Sequence, residues 1–422
     1  MSLPRLERVR LQPDNDGPPK GGHYVLVACI GAIVLCGAIV EAQAPEGRAP
    51  VNNVTRGCAE RFDPAVDYFP DKASMEDAVN FSVDYRKSYK VVTMKAAQDG
   101  GPPEHYVLVQ CGAPAPKLAG DVAGAQVVTV PIASFFAFST TNLSLLVDLG
   151  RLDVLTGVAQ FDPIASPEVK ARIRTGKVVE FARVGLVMDV ERIVTARPAL
   201  LMAGGSSSAT LSVIRNAGVP VVANNEWLES TALGRAEWLK YMALFLNEER
   251  KAQMLYGGMK DRYRSVSKRV AAIPEAERPL VMAGQSTRGV FTIAGGRSYV
   301  ASMIRDAGGR YAWADNTAAG IASVDLEAQI QRAANADVWI NGLGWKSLSA
   351  MREDEPRYAE FRAYRQGQVW TYERPVAPEE GNDYWTRSVT HPDLVLSDLV
   401  KIFHPQLASD HAFEWYSKLP AQ

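Results

Sequence analysis

"GRAEWLKYMALFLNEERKAQMLYGGMKDRYRSVSKRVAAI", residues 234 to 273, carries a helical repeat over its whole length, and no other segment of the chain resembles it. Trp238, Tyr241, Met242 and Phe245 recur every three to four residues, and Leu255, Met259 and Tyr263 continue the series. A helix of roughly 30 residues would reach about 45 Å, with Gly257 and Gly258 as a place to bend or fray. Being single and long, it reads as a strut between whatever lies on its two sides. Such a link is stiffer than paired extended strands, so the halves it joins should open and close only slightly.

On both sides short apolar runs alternate with helix-length amphipathic segments, the pattern of βαβ units around a largely parallel sheet. The first block holds "LSLLVDLG" (143–150), "LTGVA" (155–159), "DVERIVTARPALLMAGG" (189–205), "ATLSVIRNAG" (209–218) and "VPVVANN" (219–225). The second holds "RPLVMAG" (278–284), "SYVASMIRDAGG" (298–309), "DLEAQIQRAANADVWING" (325–342), "YAEFRAYRQG" (358–367) and "QVWTY" (368–372). "IRNAGVPVVAN" and "IRDAGGRYAWAD" echo each other as helix, glycine, strand, which suggests two similar lobes. The expected fold is α/β, with two Rossmann-like lobes at 131–233 and 274–422 joined by one long helix over 234–273.

Ahead of the first lobe, residues 45–130 read as a linker and a β extension. "FSVDYRKSYKVVTM" (81–94) and "HYVLVQCG" (105–112) flank the turn-forming "QDGGPP", and "AQVVTVPI" (125–132) ends at or near Pro131. Residues 24–40 form an uncharged apolar run after Arg5, Arg8, Arg10 and Lys20, followed by Ala42, Gln43 and Ala44. Residues 1–44 therefore read as a secretory signal, with an uncleaved membrane anchor as the other reading. A lipoprotein signal is disfavoured by Leu35 before Cys36. The address is periplasmic or otherwise extracytoplasmic. Cleavage would leave Cys58 and Cys111, an even pair that an oxidising compartment would join as a disulfide.

Of the residues, 47% are apolar and 22% charged, and the formal net charge is −1. That balance excludes a globally basic nucleic-acid binder. With four histidines beyond the apolar run, and no C-x-x-C, the chain is not built for a zinc cluster. "GQSTRG" (284–289) misses the nucleophile elbow by one position. "GGSSSA" (204–209) could hold an anion or simply cap the next helix.

More informative are the side chains in strand-to-helix loops, where open α/β sheets bind ligands. These are Glu226, Trp227, Arg288, Arg297, Tyr299, Trp345, Tyr384 and Trp385. Each also has a structural reading, because a half-buried Trp commonly packs a loop and an Arg commonly pairs with a local carboxylate such as Asp315 or Asp383. Arg297 follows two glycines that permit close backbone approach and precedes a helix start.

From about residue 130 onward the chain resembles the substrate-binding proteins of ABC importers for iron-siderophores and cobalamin. "DVERIVTARPALLM" looks like the family pattern L-E-x-I-x-A-L-x-P-D-L-V, with Ala199 in place of the aspartate after Pro198. "VDLEAQIQRAANADVWI" resembles the equivalent element of the second lobe, though Glu327 to Asp337 is two residues longer than Glu191 to Ala199. The resemblance implies that Glu191 and Glu327 dock onto an arginine pocket of the membrane permease; the same glutamates would also favour the helix N-termini they occupy. A branch of the family with a similar N-terminal β extension and the ending "GNDYWTRSVTHPDLVLSDLVKIFHPQL" is described as binding iron-hydroxamate or related chelates.

The resulting expectation is a monomeric binding protein without a resident cofactor that takes a metal chelate, such as a ferric siderophore, between its lobes. Aromatic side chains would meet the ligand's faces, and Arg288 and Arg297 its negative groups. Three other readings stand beside it: a bare metal-ion binder of the same fold, an exported hydrolase, and an anchored sensor or adhesion domain using the β extension.

Overall fold

The computed structural model describes residues 50–96, 101–162, 164–204, 208–287, 290–373 and 383–422. The expected signal or anchor over 1–44 and Arg288 lie outside the described residues, as do Gly205, Ser206 and Ser207 of the run at 204–209. Among the described residues no helix is long and apolar enough to cross a membrane.

In the extension, β1 (Phe81–Tyr85), β2 (Tyr89–Met94) and β3 (Glu104–Gln110) form an antiparallel meander, and β4 (Gln126–Val130) joins β3 in parallel. Alternation along β2 turns Lys90, Val92 and Met94 inward. Cys58 and Cys111 are disulfide-bonded, Cα to Cα 4.5 Å, which ties the incoming chain to the end of β3. The extension is not a separate body: Val92, Leu108 and Val130 share one apolar core with Phe135, Leu146 and Trp238.

In the N lobe, β5 (Phe135–Ala137), β6 (Leu155–Val158) and β7 (Val179–Glu180) are followed by a small hairpin, β8 (Ala182–Arg183) and β9 (Val187–Met188), and then by β10 (Leu200–Ala203) and β11 (Val221–Ala223). The sheet order is β11-β10-β5-β6-β7, parallel throughout. The C lobe departs from the expected parallel sheet. β12 (Leu280–Thr287), β13 (Val290–Ala294), β14 (Arg310–Tyr311), β15 (Ile321–Asp325) and β16 (Val338–Ile340) form a mixed sheet. The first half of β12 lies parallel to β14 and β16, and its second half continues into an antiparallel hairpin with β13, which β15 extends. The echo between the lobes is real at the helix-strand level: helix Ala209–Asn216 leads to β11 as helix Tyr299–Asp306 leads to β14.

The connector corrects the single helix expected over 234–273. It divides into helices Ala232–Ala236, Trp238–Leu246 and Glu249–Val270. All nine residues of the middle helix are buried, so it belongs to the N-lobe core and not to a strut. The break has a local cause. Asn247 takes the left-handed conformation (φ 57) that ends helices, and acidic Glu249 opens the next one. Lys90 of β2 then donates to the freed carbonyl of Leu244 (2.6 Å), to Asn247 Oδ1 (2.8 Å) and to Glu249 Oε1 (2.6 Å). Asn53 Nδ2 completes the node on Glu249 Oε2 at 2.8 Å.

What remains is still one long helix joining both lobes. Its buried stripe sets Ala252, Tyr256 and Met259 into the N-lobe core and Tyr263, Val266 and Val270 into the C-lobe core. Twenty-two residues span about 33 Å. The chain leading into β1 straps this junction. Glu237, fully buried, accepts the backbone N–H groups of Glu76, Asp77 and Ala78 and the Lys240 ammonium. Glu229, equally buried, accepts those of Val79 and Asn80 and the Trp238 indole N–H.

Candidate functional site: an aromatic cavity between the lobes

A cavity of about 270 Å3 opens where the C-lobe strands β12, β13 and β16 meet loops from both lobes. Trp227 reaches it from the N lobe, on the turn Glu226–Leu228 that follows β11. Trp385 reaches it from the C lobe, in the short helix Tyr384–Arg387. Each indole is large, apolar and yet about two-fifths exposed (42% and 40%), an arrangement that leaves contact area for a guest.

Beneath them the tyrosines are locked. Tyr372 stacks on Tyr384 with ring centroids 3.9 Å apart, and Trp385 stands edge-on to both at 5.5 and 5.4 Å. Burial pushes the phenols of Tyr372 and Tyr384 upward, so both stay neutral. Tyr299 is held from behind by the Arg235 guanidinium, 4.4 Å over its ring. Arg235 is itself buried, 3.5 Å from Glu226, and its Nε has no hydrogen-bond partner among the described residues. Burial works against its charge, but Tyr299 and Glu226 favour it and the net direction is upward.

The lobes touch around this space. Trp227 lies so close to Gly320 that a Cβ there would collide with the indole. Arg235 of the connector covers Tyr299 of the C lobe. Helix Thr141–Asp148 of the N lobe packs against helix Tyr384–Arg387. A second hollow, about 260 Å3, lies at the carboxyl ends of β5 and β6 beside Phe138 and Leu143.

The structure thus brings Trp227, Tyr299, Tyr384 and Trp385 to one cavity, with Glu226 behind it as the partner of Arg235. It does not bring Arg297 or Trp345 there. Gly295 and Gly296 before Arg297 are required by the chain itself: a Cβ on either would strike the carbonyls of Ala318 or of Trp313, Ala314 and Asn316. The Arg297 side chain is left exposed beside the site. Trp345 turns into the back of the lobe, edge-on to Trp339 and Tyr358 at 5.8 and 5.4 Å. Its Nε1 donates to Asp354 at 3.2 Å. Among the described residues the polar lining includes the neutral side chains of Gln285, Thr292, Ser298 and Asn341. Sequence reasoning missed Asn341 and Tyr372, although "WING" places Asn341 directly after a strand, where ligand loops begin.

Glu191 and Glu327 occupy corresponding places, each exposed in the first turn of the helix (Val190–Ala196 and Leu326–Ala333) that precedes β10 or β16. Glu327 pairs with Arg357 at 2.5 Å. Ser286 lies against Tyr358, while the four described histidines engage Thr93, the Arg387 carbonyl, the Gly308 carbonyl and Asp398.

The sequence profile of periplasmic binding proteins matches residues 137–375, more than half of the chain. The chain belongs to the periplasmic binding protein family. Two uncharacterized lipoproteins of Methanocaldococcus jannaschii are similar to this binding protein. One is 25% identical over 290 residues, 67% of each chain. The other is 25% identical over 325 residues, 74% of this chain and 80% of the relative. A periplasmic heme-binding protein from Pseudomonas aeruginosa shares the fold with TM-score 0.53 at 16% identity, over 69% of this chain and 99% of that one. A periplasmic binding protein from Veillonella parvula does so with TM-score 0.52 at 12% identity, over 75% and 99%. At such identities the likeness establishes the two-lobed architecture alone.

Proposed function

We propose that this protein is the extracytoplasmic substrate-binding component of an ABC importer, capturing a metal chelate such as a ferric siderophore in the interlobe cavity and presenting it to a membrane permease. The observation that carries the reading is the pairing of Trp227 and Trp385, contributed by opposite lobes to one preformed space. A preformed pocket with half-exposed aromatic walls avoids the ordering cost of binding. It also suits a ligand with apolar faces, whose metal is already wrapped: among the described residues the lining offers a bare ion no carboxylate, thiolate or imidazole. Glu191 and Glu327 would fix orientation on the permease, a task for which interfacial charges are better suited than for raw affinity.

Native mass spectrometry of protein purified from its own envelope tests the ligand. A retained adduct whose mass and isotope pattern contain a metal supports the proposal; a metal-free adduct overturns it. The delivery half is tested separately. Glu191→Ala with Glu327→Ala should abolish uptake of that ligand while leaving its binding intact, and undiminished uptake would remove both residues from docking.

A further inference from the structure

The backbone just past β16 is unusual. Asn341 adopts φ 59, the left-handed region that side chains seldom enter, with Asn among those that tolerate it. Outliers of this kind persist where the surroundings over-determine them, and they concentrate at ligand sites. Here the surroundings can be named. Asn341 lines the cavity, and its Oδ1 accepts a hydrogen bond from the Tyr416 hydroxyl at 2.6 Å. Tyr416 is buried and comes from the C-terminal segment, next to the strand Ser417–Lys418 that pairs with Trp370–Thr371. Burial keeps its phenol protonated, so it is available to donate.

The Tyr416 hydroxyl, which also hydrogen-bonds Tyr384, meets the amide at its carbonyl end. The Nδ2 donors of Asn341 have no partner in the protein among the described residues, and the residue lines the cavity. We infer that Asn341 is a specificity-determining residue of this site: a carboxamide clamped by Tyr416 that donates to an uncharged carbonyl-type oxygen of the ligand. The inference rests on the reading of the cavity as the ligand site. It narrows the ligand to one whose faces suit indole and phenol rings and whose edge carries an acceptor.

Quenching of tryptophan fluorescence by a neutral ferric trihydroxamate, hemin and cyanocobalamin tests it. For whichever probe binds the wild type, Asn341→Asp should weaken binding roughly tenfold or more, because an acceptor replaces the donor at the same place. Asn341→Gly is the decisive companion, since glycine accepts this φ without strain. It should still fold cooperatively, melting somewhat lower because the Tyr416 hydroxyl loses an acceptor, yet bind several-fold more weakly. Tyr416→Phe should give a smaller loss by freeing the amide to turn. If a probe binds the wild type and binds Asn341→Gly or Asn341→Asp equally well, the inference is overturned and the functional reading survives. If none binds the wild type, the functional reading fails and takes the inference with it.

Discussion

The polar groups set among apolar ones at the connector and in the cavity are finished differently. At the break between helices Trp238–Leu246 and Glu249–Val270, Lys90 is fully buried but has three hydrogen-bond acceptors, and ahead of the first of these helices Glu237 and Glu229 are engaged by backbone N–H groups. In the cavity, Asn341 spends its carbonyl on Tyr416 and keeps its donors, while two indoles stay about two-fifths exposed. The junction has its bonds completed from within the chain, so it can only hold. The cavity leaves bonds and contact area open, so it can bind. A buried polar network that is fully satisfied rigidifies a fold, and one left partly open marks where a partner belongs.

The contrast can be broken most severely at Lys90. Lys90→Ala strands Glu249 without its cation and should cost about 3–5 kcal/mol in denaturant unfolding. Lys90→Met combined with Glu249→Gln should recover much of that loss, because the pair's desolvation is then removed together with its attraction. Next in size is the disulfide. Cys58→Ala with Cys111→Ala opens a 53-residue separation and should lower stability by about 2–4 kcal/mol, with ligand affinity unchanged because the bridge lies in the extension.

At the cavity the pattern should reverse. Trp385→Ala should weaken ligand binding about 10- to 100-fold while unfolding within about 1 kcal/mol of the wild type. Equal losses in both measurements would mean that the indole is merely packing. The smallest effect is one of pH. Glu76 is held below its ordinary range first by its hydrogen bond to Lys260 and by the nearby Lys240 charge, against a counteracting desolvation. The folded state therefore binds this proton less tightly than the unfolded chain. Its contribution is present above the ordinary carboxylate value and is lost as pH falls through the lowered one. Glu76→Gln should accordingly flatten the acid limb of the melting-temperature profile slightly and leave neutral pH almost untouched.

The architecture was legible because it is written in periodicity: alternating β2, the short apolar runs of β10 and β11, and a helical repeat with no equal elsewhere. The connector's break was also written, in Asn247 followed by two glutamates, a helix stop and a helix start. Continuous apolar spacing across that point masked it. The partner that completes the break, Lys90, lies more than 150 residues away, and no local pattern announces it. The cavity was half legible. Trp227, Tyr299, Tyr384 and Trp385 stand in loops where ligands gather, but the direction of each loop is set by tertiary contacts. Arg297 shows the limit. Its two glycines signal close approach correctly, and what approaches is the 313–318 backbone and not a ligand.

The central claim is that indoles from opposite lobes grip one chelate. Isothermal titration of the chelate recovered with the native protein, into wild type and into Trp227→Ala with Trp385→Ala, tests it most directly. The account predicts saturable heat in the wild type and none in the double variant at the same concentrations. Indistinguishable isotherms would place the ligand somewhere else on the molecule.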